Sequence, residues 1–319
     1  MALRGDDARE DSWYKARTEE GPPGDKRIRG TTVRILFPTD GSAGAGATLD
    51  KLIDSFLGPD LLVDLLYVVD RRARSDAAIA AEGQSRAADI LASERLRLEQ
   101  AQIELEIEVA VRSGHPAEEI VDFATAFEVD LVILGSRSAS SGRPGFSGSV
   151  ASKVARYSPS SVMIARDGRA IRSVILGYDD SPDADEALTL LVGLPFRVKP
   201  HVTVLTAFEG LAPRSSDGVP TLGAQGGYSP HEELEEAKLA AEAMADEAAG
   251  RLREAGLEAT AHVAHGRAGE QLAVLAGEIG ADLILVGSRG LSGIERFLLG
   301  STSGELVALA PTSLLVARS

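Results

Sequence analysis

Short apolar runs alternate along the chain with longer stretches in which apolar residues recur every three or four positions. Residues 33–37 (VRILF) and 61–69 (LLVDLLYVV) are rich in β-branched and aromatic residues and are bounded by turn residues, so they predict strands. Residues 43–57 between them predict a helix, weakened at its start by Gly44 and Gly46. A second helix is expected from about 76 to 102, with Leu91, Arg95 and Leu98 at helical spacing. Residues 103–111 (IELEIEVAV) alternate apolar and acidic, the pattern of a strand with one wet face. Gly114-His115-Pro116 opens a helix to 127. Residues 131–134 read as a strand, 148–157 as a helix and 161–165 as a strand.

The second half repeats this βαβαβαβαβ order. Strands are predicted at 173–177, 202–208, 258–263, 282–286 and 313–317, and helices at 182–194, about 229–255, within 266–279 and at 301–310. Ser229-Pro230-His231-Glu232 starts a helix well: Ser caps, Pro takes the first turn and Glu completes a capping box. Residues 209–228 are a loop rich in Gly, Pro and Ser. Strands alternating with helices predict an α/β fold: two tandem doubly wound domains, each a parallel sheet with helices on both faces. Such sheets bind ligands beyond the carboxyl ends of their strands, where the winding reverses. Asp40 and Asp179 follow the first strand of each half, and a glycine loop follows the fourth.

That loop carries the strongest chemical signal. Residues 287–301 read GSRGLSGIERFLLGS, with Gly287, Gly290 and Gly300-Ser301 in the spacing G-x2-G-x9-G-S. Glycines let backbone N–H groups turn into a common space, and a helix opening at Ser301 adds unpartnered N–H groups and a positive dipole end. The arrangement suits an anion such as phosphate; the alternative is an ordinary glycine-rich connection. The first half carries the same design at one constant offset. DLVILGSR at 130–137 matches DLILVGSR at 282–289, Gly148-Ser149 matches Gly300-Ser301, and Pro159 matches Pro311. A whole domain is therefore duplicated, giving domains at 31–166 and 171–319 after a charged tail at 1–30 that is expected to be disordered. Trp13 and Tyr14 lie in that tail.

Composition narrows the chemistry. The 319 residues include no cysteine, which excludes disulfides, thiolate metal sites and thiol catalysis. A net charge of −15 argues against a nucleic-acid surface. No apolar run approaches the roughly 18 residues that span a bilayer, and residues 1–11 lack the apolar core of a signal peptide, so a cytoplasmic location is expected. The loop is not a Walker A motif, which needs Gly-Lys-Ser/Thr. Gly41, Gly44 and Gly46, with Asp70 ending the second strand, imitate a dinucleotide fingerprint at the wrong spacing. His262 and His265 have no carboxylate set beside them, so no metal ligands are assigned, and no catalytic residues are assigned either.

The spacing of Gly287, Gly290, Gly300 and Ser301, together with Asp179 in GYDDS and Asp40 in FPTDGS, resembles the universal stress protein family in its tandem form. The resemblance covers about 31–166 and 171–318. It implies a five-stranded parallel sheet in each half, of the adenine nucleotide alpha hydrolase-like type, and ATP as ligand, with Mg²⁺ accompanying it. On that resemblance, Asp179 and the backbone around Ala207 hold adenine and ribose. Val286, Gly287, Gly290, Gly300, Ser301 and Thr302 surround the phosphates. The matching positions of the first half are Asp40, Val68, Gly135, Gly148 and Ser149. There Ser138 replaces Gly290, and Gly142, Pro144 and Gly145 alter the loop, so the first site departs from the pattern. If the position demands a left-handed backbone or close approach to phosphate, Ser weakens it. Asp40 also reads as a turn cap.

Three functions stay open at this level. One is an ATP-binding stress-response or signalling module that passes its nucleotide state to a protein partner. Another is a slow ATPase or adenylyl-transferring enzyme, for which Glu295 and Asp180 are the nearest candidate bases. The third is a non-binding structural pseudo-dimer. The two halves are expected to pair through the edge strands 161–165 and 313–317, with a homodimer as a further option. Arg137 and Arg289, at matching positions, read either as phosphate partners or as solvated loop residues.

Overall fold

The computed structural model describes residues 32–56, 58, 60–70, 77–101, 105–136, 148–209, 230–290 and 299–318. It divides into two compact units, which separate after Arg169. The tail at 1–30, the capping box at Ser229, and Arg137, Ser138, Gly142, Pro144, Gly145 and Glu295 lie outside the described residues.

The first unit runs β1 (Val33–Thr39), α1 (Ala43–Ser55), β2 (Leu61–Asp70), α2 (Ala77–Gln100), β3 (Glu106–Gly114), α3 (Pro116–Ala126), β4 (Leu131–Gly135), α4 (Ser149–Tyr157) and β5 (Ser161–Ala165). The second runs β6 (Ser173–Gly177), α5 (Pro182–Gly193), β7 (His201–Phe208), α6 (Pro230–Glu254), β8 (Glu258–His265), α7 (Ala268–Ile279), β9 (Leu283–Gly287), α8 (Ser301–Leu309) and β10 (Ser313–Ala317). Every strand pair within a unit is parallel. The strand order is β3-β2-β1-β4-β5 in the first unit and β8-β7-β6-β9-β10 in the second.

The central strands are the continuous apolar runs, as burial on both faces requires. Ile35, Leu36 and Phe37 in β1, and Val174, Ile175 and Leu176 in β6, are fully buried. The edge strand β8 is the wettest of the second unit, with Ala259 its one buried residue. In β3 the expected alternation of wet and dry positions does not appear: after the exposed Glu106 its residues are half-buried up to the buried Gly114, and the strand runs from Glu106 to Gly114 because pairing with Leu62 through Asp70 of β2 fixes its ends.

One device recurs in both units. Asp130, just before β4, accepts the backbone N–H of Arg34 at 2.8 Å. Asp282, just before β9, accepts those of Arg172 and Ser173 at 3.0 and 3.1 Å. Each aspartate thereby fixes the start of its unit's first strand. The shared Asp of DLVILGSR and DLILVGSR is structural for this reason.

The sheet topology also sets where a ligand can enter. The connections run outward from β6 through β7 to β8, then cross back to β9, so the winding reverses between β6 and β9. These two strands pair only from Val174↔Leu283 to Leu176↔Leu285, although β9 continues to Gly287. Their carboxyl ends part, and a crevice opens there. In the first unit β1 and β4 pair only at Ile35↔Leu131 and Leu36↔Val132.

Candidate functional site

The crevice of the second unit is built around the turn after β6. Asp180 there has φ 58°, and Gly41 at the matching place in the first unit has φ 69°. Aspartate is one of the few residues that tolerates this left-handed conformation, because its short side chain bonds locally. Its Oδ1 accepts from the Tyr178 hydroxyl at 3.4 Å. Next to it, Asp179 Oδ1 accepts the Ser181 N–H at 3.2 Å, and Ser181 Oγ caps α5 by accepting from Ala184 N at 3.2 Å. Asp40 makes the same turn in the first unit, accepting from Ser42 N at 2.9 Å. Turn closure is therefore common to both aspartates.

What sets Asp179 apart is its second oxygen. A Cβ built on Gly290 would lie 2.7 Å from Asp179 Oδ2, with no backbone of the described residues close by. Gly290 thus lets the loop after β9 reach the aspartate. It is not among the glycines with positive φ, so of the two alternatives raised for this position, a left-handed backbone or close approach, the first is ruled out. Gly287 has a different duty. A Cβ there would meet the backbone carbon of Asp183 at 2.6 Å and its oxygen at 2.7 Å, so this glycine seats β9 against the first turn of α5.

The loop base is closed by Gly300 N–H donating to Ser288 O at 2.8 Å and by Ser303 Oγ donating to the same oxygen at 2.8 Å. Gly300 is the N-cap of α8 and makes no side-chain cap bond. By contrast, α1 and α5 carry serine caps, at Ser42 and Ser181. The amino end of α8 accordingly keeps N–H groups and positive dipole that no N-cap side chain satisfies. Gly148 at α4 repeats the uncapped arrangement, and its N–H bonds Ser136 O.

Gly177, Tyr178, Asp179, Ala184, Leu205, Ala207, Ala268, Leu272, Val286, Gly287, Arg289, Gly290, Gly300, Ser301, Thr302 and Ser303 line one cleft. All eight residues expected of the second site are among them: Asp179, Ala207, Val286, Gly287, Gly290, Gly300, Ser301 and Thr302. The floor is apolar, from Leu205, Leu272 and Val286, and the rim is backbone and hydroxyl. Beneath it, the Tyr178 hydroxyl donates to Asp185 Oδ1 at 2.8 Å and receives Arg251 Nη1 at 3.0 Å, tying α5 and α6 together. Burial, and then the Asp185 carboxylate beside it, hold the Tyr178 hydroxyl far above its ordinary pKa, so it remains a neutral donor.

Sequence reasoning missed Asp183. Its Oδ2 accepts from Ser288 Oγ at 2.6 Å, Arg289 N at 2.9 Å and Arg289 Nε at 3.1 Å, and its Oδ1 accepts from Arg289 Nη2 at 3.1 Å. Burial pushes this carboxyl up, but the Arg289 guanidinium and Ser288 hydroxyl outweigh it and hold the pKa below the usual aspartate range. Arg289 is therefore engaged in an ion pair with Asp183 and is not merely solvated. The one sequence signal was the acidic first turn of α5, which reads equally as a dipole partner.

The first unit assembles less. Asp40 is exposed, Val68 and Gly135 are half-buried, Gly148 caps α4 and Ser149 begins it. The cleft described in this unit is lined by Gly44, Ala47, Thr48, Ser136, Ala165, Arg166 and Asp167, which include none of those five. Gly44 stands where the second unit has Asp183. Near the turn, Ile90 of α2 packs against Gly41, where an added Cβ would meet its Cδ1 at 2.5 Å. Thr39 Oγ1 donates to the buried Glu94 Oε1 at 2.7 Å.

Among the remaining candidates, His265 packs edge-on to Phe208 at 5.4 Å, and His115 and Arg267 are the N-cap residues of α3 and α7. Among the described residues no group of three or more His, Asp or Glu side chains is placed to hold a metal ion. Among the described residues no helix is long and apolar enough to cross a membrane.

A family model described as the universal stress protein family matches residues 32–166 and again 170–318. A relative from Staphylococcus haemolyticus named for these proteins is 49% identical over 45 residues, and one from Staphylococcus aureus (strain USA300) is 51% identical over 45. Each match spans 14% of this chain and 27% of the relative's length. The crystal structure of a universal stress protein from Archaeoglobus fulgidus aligns with a TM-score of 0.63 at 22% identity, over 89% of this chain and 98% of its own. A Pseudomonas aeruginosa structure aligns at 0.56 and 15%, over 90% and 93%. At these identities the two structures support the fold alone.

Proposed function

We propose that this chain, which belongs to the universal stress protein family, binds ATP in the cleft of its second unit and serves as a nucleotide-responsive stress or signalling module. The observation that carries the proposal is the convergence of Asp179, Ala207 and Val286 with Gly287, Gly290, Gly300, Ser301 and Thr302 on one cleft at the winding reversal. The apolar floor fits a base, and Asp179 Oδ2 is an acceptor for a ribose or adenine donor. The uncapped start of α8 supplies neutral donors and positive dipole for phosphates. Mg²⁺ on the nucleotide would offset part of the phosphate charge.

The reading predicts that freshly purified protein releases an adenine nucleotide on denaturation, identified by mass spectrometry. It also predicts that protein stripped of ligand binds both ATP and adenosine by titration calorimetry. Protein that carries no nucleotide and takes up neither ligand overturns the reading.

A further inference from the structure

The Asp183–Arg289 pair bears on how such a site would handle charge. Arg289 lines the cleft, yet both faces of its guanidinium fork used here, Nε and Nη2, are bonded to one carboxylate. The pair is largely sheltered, with side-chain exposures of 30% for Arg289 and 12% for Asp183, so water screens it only partly. The bond raises the Arg289 pKa and keeps the guanidinium charged within the pair. Asp183 also takes the Arg289 backbone N–H, which removes that donor from the cradle. Among the described residues the Asp179 carboxylate lines the same cleft, and a second cation that feels the pair is Arg318, after β10. Its pKa is lowered chiefly by burial and further by Arg289, while Asp183 opposes. In the first unit Gly44 occupies the place of Asp183, so no carboxylate stands at that position.

We propose that Asp183 is a specificity-determining residue of the cleft: it holds Arg289 in an internal ion pair, so that nucleotide phosphates meet neutral backbone donors instead of a free guanidinium. This rests on the reading that the cleft binds adenine nucleotide, and it adds a rule of charge preference. A site whose nearest cation is already neutralised gains little from each added phosphate charge. It favours metal-neutralised or weakly charged nucleotides over bare triphosphate.

Asn is the informative replacement. Its amide oxygen still accepts from Ser288 Oγ and Arg289 N and preserves the loop base, while its lost charge releases the guanidinium. The test is calorimetry with three probes: adenosine, ATP in the presence of EDTA, and ATP with excess Mg²⁺. It compares the parent protein, Asp183→Asn, and the double variant Asp183→Asn/Arg289→Gln. Asp183→Asn should bind metal-free ATP about tenfold more tightly, as expected for one unit charge a few ångströms from the phosphates. It should gain less with Mg²⁺, leave adenosine unchanged, and make ATP affinity fall more steeply with salt. The double variant, neutral at both positions, should return to the parent's affinity for ATP.

A double variant that binds ATP tenfold more weakly than the parent would show Arg289 to be a phosphate ligand already, and the proposal would be wrong. It would equally be wrong if Asp183→Asn gained no affinity for metal-free ATP while binding adenosine normally. If Asp183→Asn does not fold, Asp183→Gly, the residue that the first unit carries at the matching Gly44, replaces it in both variants, and the same outcomes decide. A parent that binds neither adenosine nor ATP removes the nucleotide reading, and this inference with it.

Discussion

Gly287 and Gly290 look alike in the sequence and act differently in the molecule. Gly287 is required by packing, because an added Cβ would press 2.6 Å from the Asp183 backbone carbon. Among the described residues Gly290 faces only the Asp179 carboxylate. Gly287→Ala should therefore destabilise the second unit by about 1–3 kcal/mol through overpacking, read as a lowered midpoint in urea. Gly290→Val should leave the midpoint nearly unchanged but crowd Asp179 and stand between the loop and α8. It should abolish ATP binding while sparing part of the adenosine affinity. Normal ATP binding by Gly290→Val would reduce the loop to a connection. The motif was legible because spacing survives in a linear string. The division of labour was not, since it depends on how closely α5 approaches β9. Asp183 escaped for the same reason: its partners Ser288 and Arg289 lie in another element, more than a hundred positions away.

Glu94 gives a second prediction at this scale. It is 5% exposed, Thr39 satisfies one oxygen, and Oε2 has no hydrogen-bond partner. Burial raises its pKa above the ordinary glutamate value, against the opposing Thr39 bond and Arg97, with Asp40 raising it further. A raised folded-state pKa means that the unfolded chain loses this proton first as pH increases. Its stabilising contribution is whole below the unfolded value, near ~4.3, and declines as pH rises through the folded one. Glu94→Gln removes the titration. The melting temperature of the variant relative to the parent should therefore increase as pH rises from about 4 towards neutrality. A difference that stays flat with pH would show that Glu94 is not titrating in that range.

At the scale of elements, the order of strands and helices could be read from the two hydrophobic periods, and most boundaries fell within two residues. The exceptions have physical causes. Residues 103–111 alternate with nothing to mark a start, and the strand's ends are set by the register against β2. The shared Asp before the fourth strand looked like part of the motif, yet it works at the opposite end of the sheet from the cleft. Asp282 is 8% exposed and accepts the N–H groups of both Arg172 and Ser173. Asp282→Ala should leave those donors without their carboxylate and cost about 1–3 kcal/mol. A denaturant titration should report the loss while nucleotide affinity changes little, because the cleft lies beyond the carboxyl ends of the strands.

At the scale of the whole molecule, duplication supplied two copies of one fold, and the sequence then diverged at the positions that build the site. Both copies keep the turn aspartate, the closing glycine N–H and an uncapped helix after the loop. They differ at Gly44 against Asp183, and at Ser138 against Gly290. Only the second copy brings its expected residues to one cleft among those described. The full chain should therefore bind close to one ATP per molecule at low micromolar protein in a calorimetric titration, with any second event clearly weaker. Gly290→Val in the full chain should remove the strong event and leave the weak one. A comparable change in the first copy, Gly148→Val at the position that matches Gly300, should leave the strong event intact. Two equal events in the parent would mean that neither Ser138 nor Gly44 matters to binding. Loss of the strong event on Gly148→Val would place the strong site in the wrong unit, and the argument from the Asp179–Gly290 approach would fail with it.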